Sequence, residues 1–214
     1  MSGSGPPAKN RYDRFDETAP RDQSRAPGRV QRINVLFVCT GNVFRSPTAE
    51  AFLAKIAHQR HLELTVESAG ILAGERLILP EALEVIGTKG VDMSAHRSRV
   101  LDIEAVNRAD LALGMTREHV RELVLIEPGA WPRTFTLKEL VRRGELLGAR
   151  SAYQTLSQWL ALIGQKRPRE GLIGSSFADD VEDPLGRSPP QFQETAHELW
   201  DLVNRLVELI GPEK

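Results

Sequence analysis

Cysteine occurs once in these 214 residues, as Cys39, and Arg45 follows six positions later in the run CTGNVFRSP. The apolar residues Ile33, Val35, Leu36, Phe37 and Val38 lead into the run, and a helix-forming stretch with Pro47 near its start follows it. The order is strand, tight loop, helix. Such a loop turns successive backbone N–H groups toward one point, where the helix N-terminus adds its positive dipole end. The loop residues are Thr40, Gly41, Asn42, Val43, Phe44 and Ser46. Converging donors and a guanidinium favour an anion, whether a thiolate or the oxygens of a phosphoryl group. Gly41 permits the tight path and Asn42 can brace it. The planar fork of Arg45 matches two phosphate oxygens. Nucleophile and oxyanion clamp therefore come from one short segment, which points to phosphate-ester chemistry. A packed core cysteine at a strand end is the plainer reading of Cys39, and these neighbours weigh against it.

The elements around this segment alternate. Residues 33–38 read as a buried strand and 47–58 as a helix, with Ser46 as its N-cap and Glu50 near its start. A second strand reaches Ala69 and Gly70, a helix spans 80–89, and Gly90 stops it. Residues 100–106 form a short helix or turn, 109–115 a third strand, and a helix begins near Thr116. Thr136, Leu137, Leu140 and Val141 read as helical, as do 149–163 and, at the end, 193–210. Alternating strands and helices predict an α/β sandwich with a mostly parallel sheet and the first loop at its carboxyl edge.

Residues 1–30 are rich in Gly, Pro, Ser, Arg and Asp without apolar spacing, and read as a disordered arm before a domain over 31–212. The arm has no apolar stretch of signal-peptide length. No segment reaches the roughly 20 apolar residues of a membrane span. The net charge of −1 gives no general attraction to nucleic acid, and Arg142 with Arg143 form a local patch without aromatic neighbours. One cysteine cannot form an internal disulfide, so a reducing, cytoplasmic setting is expected. The five histidines, at 58, 61, 96, 119 and 197, offer no metal-ligand set, and His58 and His61 read as surface helix residues. No metal or cofactor is expected.

The longer string CTGNVFRSPTAE resembles the low-molecular-weight protein tyrosine phosphatase family, and the likeness continues through ESAG, PEALEVIGTKGVDMSAHRSR and ADLALGM. The resemblance implies a three-layer α/β sandwich, a single doubly wound domain around a four-stranded parallel sheet. It implies that Cys39 is the nucleophile and Arg45 the phosphate clamp, with the loop from Thr40 to Ser46 binding the substrate. Asn42 would hold the loop's shape, and Ser46 would stabilise the thiolate. Ser68 and His96 would support that network. The family carries its general acid in a late Asp-Pro pair, which matches Asp183-Pro184. Asp179 and Asp180 stay with the ordinary reading of an Asp-rich run, a solvated loop.

Three departures bear on substrate and redox behaviour. Phe44 stands where many members have a second cysteine that can pair with the nucleophile. Leu185 stands where tyrosine-directed members carry an aromatic residue. Val43 stands where arginine-phosphate phosphatases of this fold have threonine, and is closer to the isoleucine common in tyrosine-directed enzymes. Related arsenate reductases need further cysteines, which this chain lacks. The expected function is therefore a protein phosphotyrosine phosphatase acting through a cysteinyl-phosphate, as a monomer or weak dimer. A protein arginine phosphatase is the nearer alternative. A phosphoprotein-binding module with weak turnover is the other, because TFTLKELVRRGELLG adds a basic amphipathic surface near the acid loop. Trp131 and Phe177 are expected in core or interface packing.

Overall fold

A computed structural model describes residues 32–72, 74–168 and 172–211. The expected arm lies outside the described residues. Four strands, β1 (Ile33–Cys39), β2 (Leu64–Gly70), β3 (Leu111–Gly114) and β4 (Thr134–Thr136), form one sheet in the order β2-β1-β3-β4, with every pair parallel. This is the expected α/β sandwich around a four-stranded parallel sheet. The register aligns Cys39 with Gly70, Val38 with Gly114, and Gly114 with Thr136, so all four strands deliver their carboxyl ends to one edge.

Strand β1 is central and buried on both faces, as parallel sheets require. Its alternation sorts the core: Val35, Phe37 and Cys39 enter one layer, and Leu36 and Val38 the other. The larger layer holds α1 (Arg45–Gln59), α2 (Pro80–Thr88), α5 (Leu137–Leu147), α6 (Leu156–Ile163) and α7 (Pro189–Ile210). The smaller is built by α3 (Ile103–Arg108), α4 (Arg117–Ile126) and a 3₁₀ turn at Pro128–Arg133. In α1, Phe52 and Ile56 lie one turn apart and face inward, and Phe52 meets Trp200 of α7 edge to face at 5.0 Å. Each such buried side chain contributes about 1.5–3 kcal/mol.

Several boundaries differ from the sequence reading. Ser46 is not an N-cap, because α1 begins at Arg45 and its cap position is Phe44, without a side-chain cap. The Ser46 hydroxyl is instead used inside the loop. Residues 149–155 are not helical. Gly148, at φ 101°, ends α5, and α6 starts only after Thr155, which accepts from the Gln158 N–H. Arg150 meanwhile ties this segment to the end of α7 through the Ile210 carbonyl at 2.9 Å. Helix α7 starts earlier than expected, at Pro189, because Ser188 and Gln191 form a capping box with proline at the first helical positions. Thr136 closes β4 and caps α5 rather than lying within a helix. His61 sits just beyond α1 at φ 55°, outside any helix, while His58 is an exposed residue of α1.

Candidate active site

The loop after β1 folds tightly because a glycine faces it. A Cβ on Gly70 would stand 2.9 Å from both the Asn42 nitrogen and the Thr40 carbonyl oxygen, so only glycine lets the loop pass. Asn42 then takes the left-handed conformation at φ 52°, uncommon for a residue with a side chain. Four hydrogen bonds hold it there. Its amide nitrogen donates to Ser46 Oγ at 2.9 Å and Ser68 Oγ at 2.8 Å. Its side-chain oxygen accepts from the Arg99 N–H at 2.9 Å, and its carbonyl meets His96 Nε2 at 3.0 Å. The structure thus brings Asn42, Ser46, Ser68 and His96 into one network.

Cys39 lies at the floor of the turn and is only 3% exposed. The Asn42 N–H points at its Sγ from 3.2 Å, and Ser46 Oγ is 3.0 Å away. The Ser46 hydroxyl also lies 3.3 Å from the Ala69 carbonyl. Its proton therefore has two acceptors to choose between, and a sulfur anion would draw it from the carbonyl. The Ser68 hydroxyl donates its own hydrogen bond to the Glu50 carboxylate at 2.5 Å. Burial raises the Glu50 pKa, and the Ser68 hydrogen bond works against that rise. Phe44 turns inward and packs edge to face on Phe192 at 4.9 Å, whereas Val43 is half-buried.

Arg45 is 4% exposed, yet its head reaches three groups. It donates to the Thr40 hydroxyl at 3.2 Å, to the Val181 carbonyl at 3.2 Å, and to the Asp183 carboxylate. The loop carrying Asp183 is thereby laid against the cup. It is pinned further back by Val181, fully buried, whose N–H bonds the Met115 carbonyl at 2.7 Å just past β3.

The acidic run before Asp183 is not a solvated loop, contrary to the sequence reading. Asp179 is 6% exposed and accepts from Arg117 at 2.7 and 3.1 Å and from Arg142 at 2.8 Å. Burial opposes its ionisation, but the bonds from Arg142 and Arg117 outweigh it, and its pKa lies below the ordinary carboxylate value. Asp180 accepts from the Arg117 N–H at 2.8 Å, satisfying an orphan donor at the start of α4. It also accepts from the Ser176 N–H at 2.7 Å. Lys138 donates to the Asp180 carbonyl at 2.9 Å. The basic face of α5 is thus spent partly on the acid loop, and Arg143 pairs with Glu139. Phe177 is not packed: it is 94% exposed, with the Lys138 ammonium 5.4 Å from its ring. Trp131 and Phe135 sandwich the Arg167 guanidinium at 4.0 Å each.

His119, absent from the sequence-based site, joins it through Thr40. Its Nε2 lies 3.1 Å from the Thr40 hydroxyl, and its Nδ1 accepts from the Thr116 N–H at 3.0 Å. Burial, aided by Arg45 and Arg121, lowers its pKa to about 3. The one local sign was a threonine followed three residues later by a side chain that can reach back to the helix start. Among the described residues, no group of three or more His, Cys, Asp or Glu could hold a metal ion, and no helix is long and apolar enough to cross a membrane.

A buried thiol facing the Asn42 N–H in a tight loop, a guanidinium from the same loop and a carboxylate presented by a distant loop are the parts of a cysteine-based phosphatase. The chain belongs to the family described as low molecular weight phosphotyrosine protein phosphatase, whose model matches residues 34–146. It is 30% identical over 184 residues to a protein-arginine-phosphatase of Bacillus subtilis, an alignment covering 85% of this chain and 99% of that protein. The YwlE arginine phosphatase structure from Geobacillus stearothermophilus superposes with a TM-score of 0.59 at 30% identity, covering 82% of this chain and 91% of that one. A low molecular weight protein tyrosine phosphatase from T. tengcongensis gives a TM-score of 0.62 at 32% identity, covering 82% and 98%.

Proposed function

We propose that this protein removes phosphoryl groups from protein phosphoarginine through a cysteinyl-phosphate on Cys39. One observation carries the chemistry: Arg45 is bonded at once to Thr40 in the cup and to Asp183 from the far loop. Clamp and acid therefore meet beside Thr40, the residue that follows the nucleophile in the chain. A bound phosphoryl group takes the place of the Asp183 carboxylate on the guanidinium, and its oxygens are held by Arg45 and the loop N–H groups. The Cys39 thiolate attacks phosphorus in line, the S–P bond forms and the N–P bond breaks. Asp183, freed from the guanidinium and protonated from solvent, gives its proton to the departing guanidine nitrogen. It then takes a proton from water as the water attacks phosphorus, and the S–P bond breaks to release phosphate and thiolate. Ser46 donates a hydrogen bond to the sulfur anion, while Asn42, Ser68 and His96 keep the cup in shape.

The choice of phosphoarginine reverses the order drawn from sequence. It is supported by relatives matched along nearly their whole length, and by Leu185, which is 60% exposed on the acid loop and offers no aromatic surface to a tyrosine ring. Phosphotyrosine is the second reading, favoured by Val43, which gives the loop no hydroxyl at that position. The substrate in either case is a phosphoprotein, and a reducing compartment suits the single thiol. Turnover of matched phosphoarginine, phosphotyrosine and phosphoserine peptides tests the choice. The reading requires phosphoarginine to have the highest kcat/KM and phosphoserine the lowest, since its short side chain leaves phosphorus too far from Cys39. A phosphotyrosine preference would hand the case to the second reading. Binding without turnover of any peptide would make the protein a phosphoprotein-binding module.

A further inference from the structure

We infer that His119 is a positioning residue that acts through Thr40, fixing the plane of Arg45 and turning the Thr40 hydroxyl proton toward a bound phosphoryl oxygen. The inference deepens the proposed phosphatase reading and rests on it.

The hydrogen bonds leave little freedom. Backbone N–H of Thr116 is a donor and nothing else, so His119 Nδ1, 3.0 Å away, carries the lone pair. The Thr116 hydroxyl, at 2.8 Å, must donate to the same nitrogen. The ring proton is then on Nε2, which donates to Thr40 Oγ1 at 3.1 Å. Arg45 has only donors, and it gives a second bond to the same oxygen at 3.2 Å. A hydroxyl has two acceptor sites and one proton. Both acceptor sites of Thr40 are filled, so its proton is directed away from both partners. Thr40 is only half-buried, beside the guanidinium edge that also touches Asp183, where the phosphoryl group is expected.

The fold supplies His119 deliberately. A Cβ on Gly114 would lie 3.0 Å from the His119 Cβ and from the Thr116 carbonyl oxygen, so glycine at the end of β3 lets the first turn of α4 close onto the cup. His119 is 1% exposed, and burial keeps it neutral, the form in which Nδ1 can accept. A positively charged ring would carry protons on both nitrogens and break the bond to Thr116. The cup therefore gains a side-chain hydroxyl donor from position 40, although position 43 has only Val43.

The experiment reads oxyanion binding apart from turnover: protection of Cys39 from iodoacetamide by inorganic vanadate and phosphate, in wild type, Thr40→Val, Thr40→Ser, His119→Leu, His119→Gln and the Thr40→Val/His119→Leu double variant. We expect Thr40→Val and His119→Leu each to weaken protection about tenfold, as losing one hydrogen bond to a charged ligand does. The double variant should be no weaker than Thr40→Val alone, because both changes break one chain. Thr40→Ser and His119→Gln, which keep the donor, should recover most of it. Unchanged protection in a folded Thr40→Val protein, or fully additive losses in the double variant, would overturn the inference even if His119→Leu melts early. A wild-type thiol that neither anion protects would instead sink the phosphatase reading itself.

Discussion

Arg45 and Asp183 are 138 positions apart in the chain, and the guanidinium of one touches the carboxylate of the other. The first is nearly buried in the cup, while the second is 42% exposed on a loop. In the proposed reaction a phosphoryl group takes that place on the guanidinium, so Asp183 would yield it to substrate and stay close enough to protonate what leaves.

This relationship separates two variants. Asp183→Asn should lower kcat by about 10²–10⁴-fold, most for substrates with poor leaving groups, and leave vanadate protection of Cys39 intact. Arg45→Lys should lose both turnover and oxyanion protection, because an ammonium cannot serve Thr40, Val181 and a phosphoryl group with one planar fork. Comparing aryl phosphates of graded leaving-group pKa, with alkylation run in parallel, checks both. Equal loss across leaving groups in Asp183→Asn would count against the acid.

Asp179 should matter to catalysis without touching substrate. Asp179→Asn leaves Arg117 and Arg142 without their carboxylate, and should cost about 1–3 kcal/mol of stability. It should loosen the loop behind Asp183, so kcat falls while Cys39 alkylation is unchanged. The folded pKa of Asp179 is depressed, so its contribution is present above the ordinary carboxylate range and lost as pH falls through the folded value. Urea melts of wild type and variant at neutral and acid pH would show their stabilities converging as the pH drops.

His119 gives a separate pH signature. Its pKa is about 3 in the fold against 6.5 as an ordinary histidine, so between those values the unfolded chain binds the extra proton. Stability from the neutral ring is complete above 6.5 and falls by about 1.4 kcal/mol per pH unit below it. Replacing His119 by Gln removes this slope. Melting curves at pH 7 and pH 5 should show a smaller acid drop for His119→Gln than for wild type, and an equal drop would contradict the buried neutral ring.

Much of the site was legible because the cup is a contiguous run. A strand, a glycine-bearing loop and a helix start within a few residues of Cys39, and local chemistry dictates that order. The parallel α/β sandwich followed from alternation, but the fourth strand came only with the family likeness: β4, with three residues, was too short to leave a period, and Thr136 read as helix. Asp183 was reachable only through family likeness, since nothing near it in sequence says what it faces. Asp179 and Asp180 were misread for the same reason: their partners Arg117 and Arg142 come from α4 and α5. His119 was missed because its partner Thr40 lies 79 positions away. Phe177 was expected to pack by residue type alone, and its exposure could only be seen in the folded chain.

Peroxide should inactivate the protein irreversibly. The position beside Arg45 that could hold a resolving thiol is Phe44, buried against Phe192, and Cys39 is the single cysteine. Without a disulfide partner, Cys39 oxidises past the sulfenic state unless an external thiol caps it. Mass spectrometry after a brief pulse should find sulfinic and sulfonic Cys39. Full recovery with reductant, and no small thiol present during the pulse, would be the opposite result.

The central claim is a covalent phosphoryl group on Cys39, and rapid-quench trapping tests it most directly. Asp183→Asn protein mixed with an aryl phosphate of good leaving ability should pass the first step and stall in the second, where no base activates water. Acid quench and peptide mapping should then find phosphate on the peptide carrying Cys39, in proportion to the phenol released in the first turnover. Phenol release with no phosphorylated Cys39, or turnover that survives Cys39→Ser, would contradict the account.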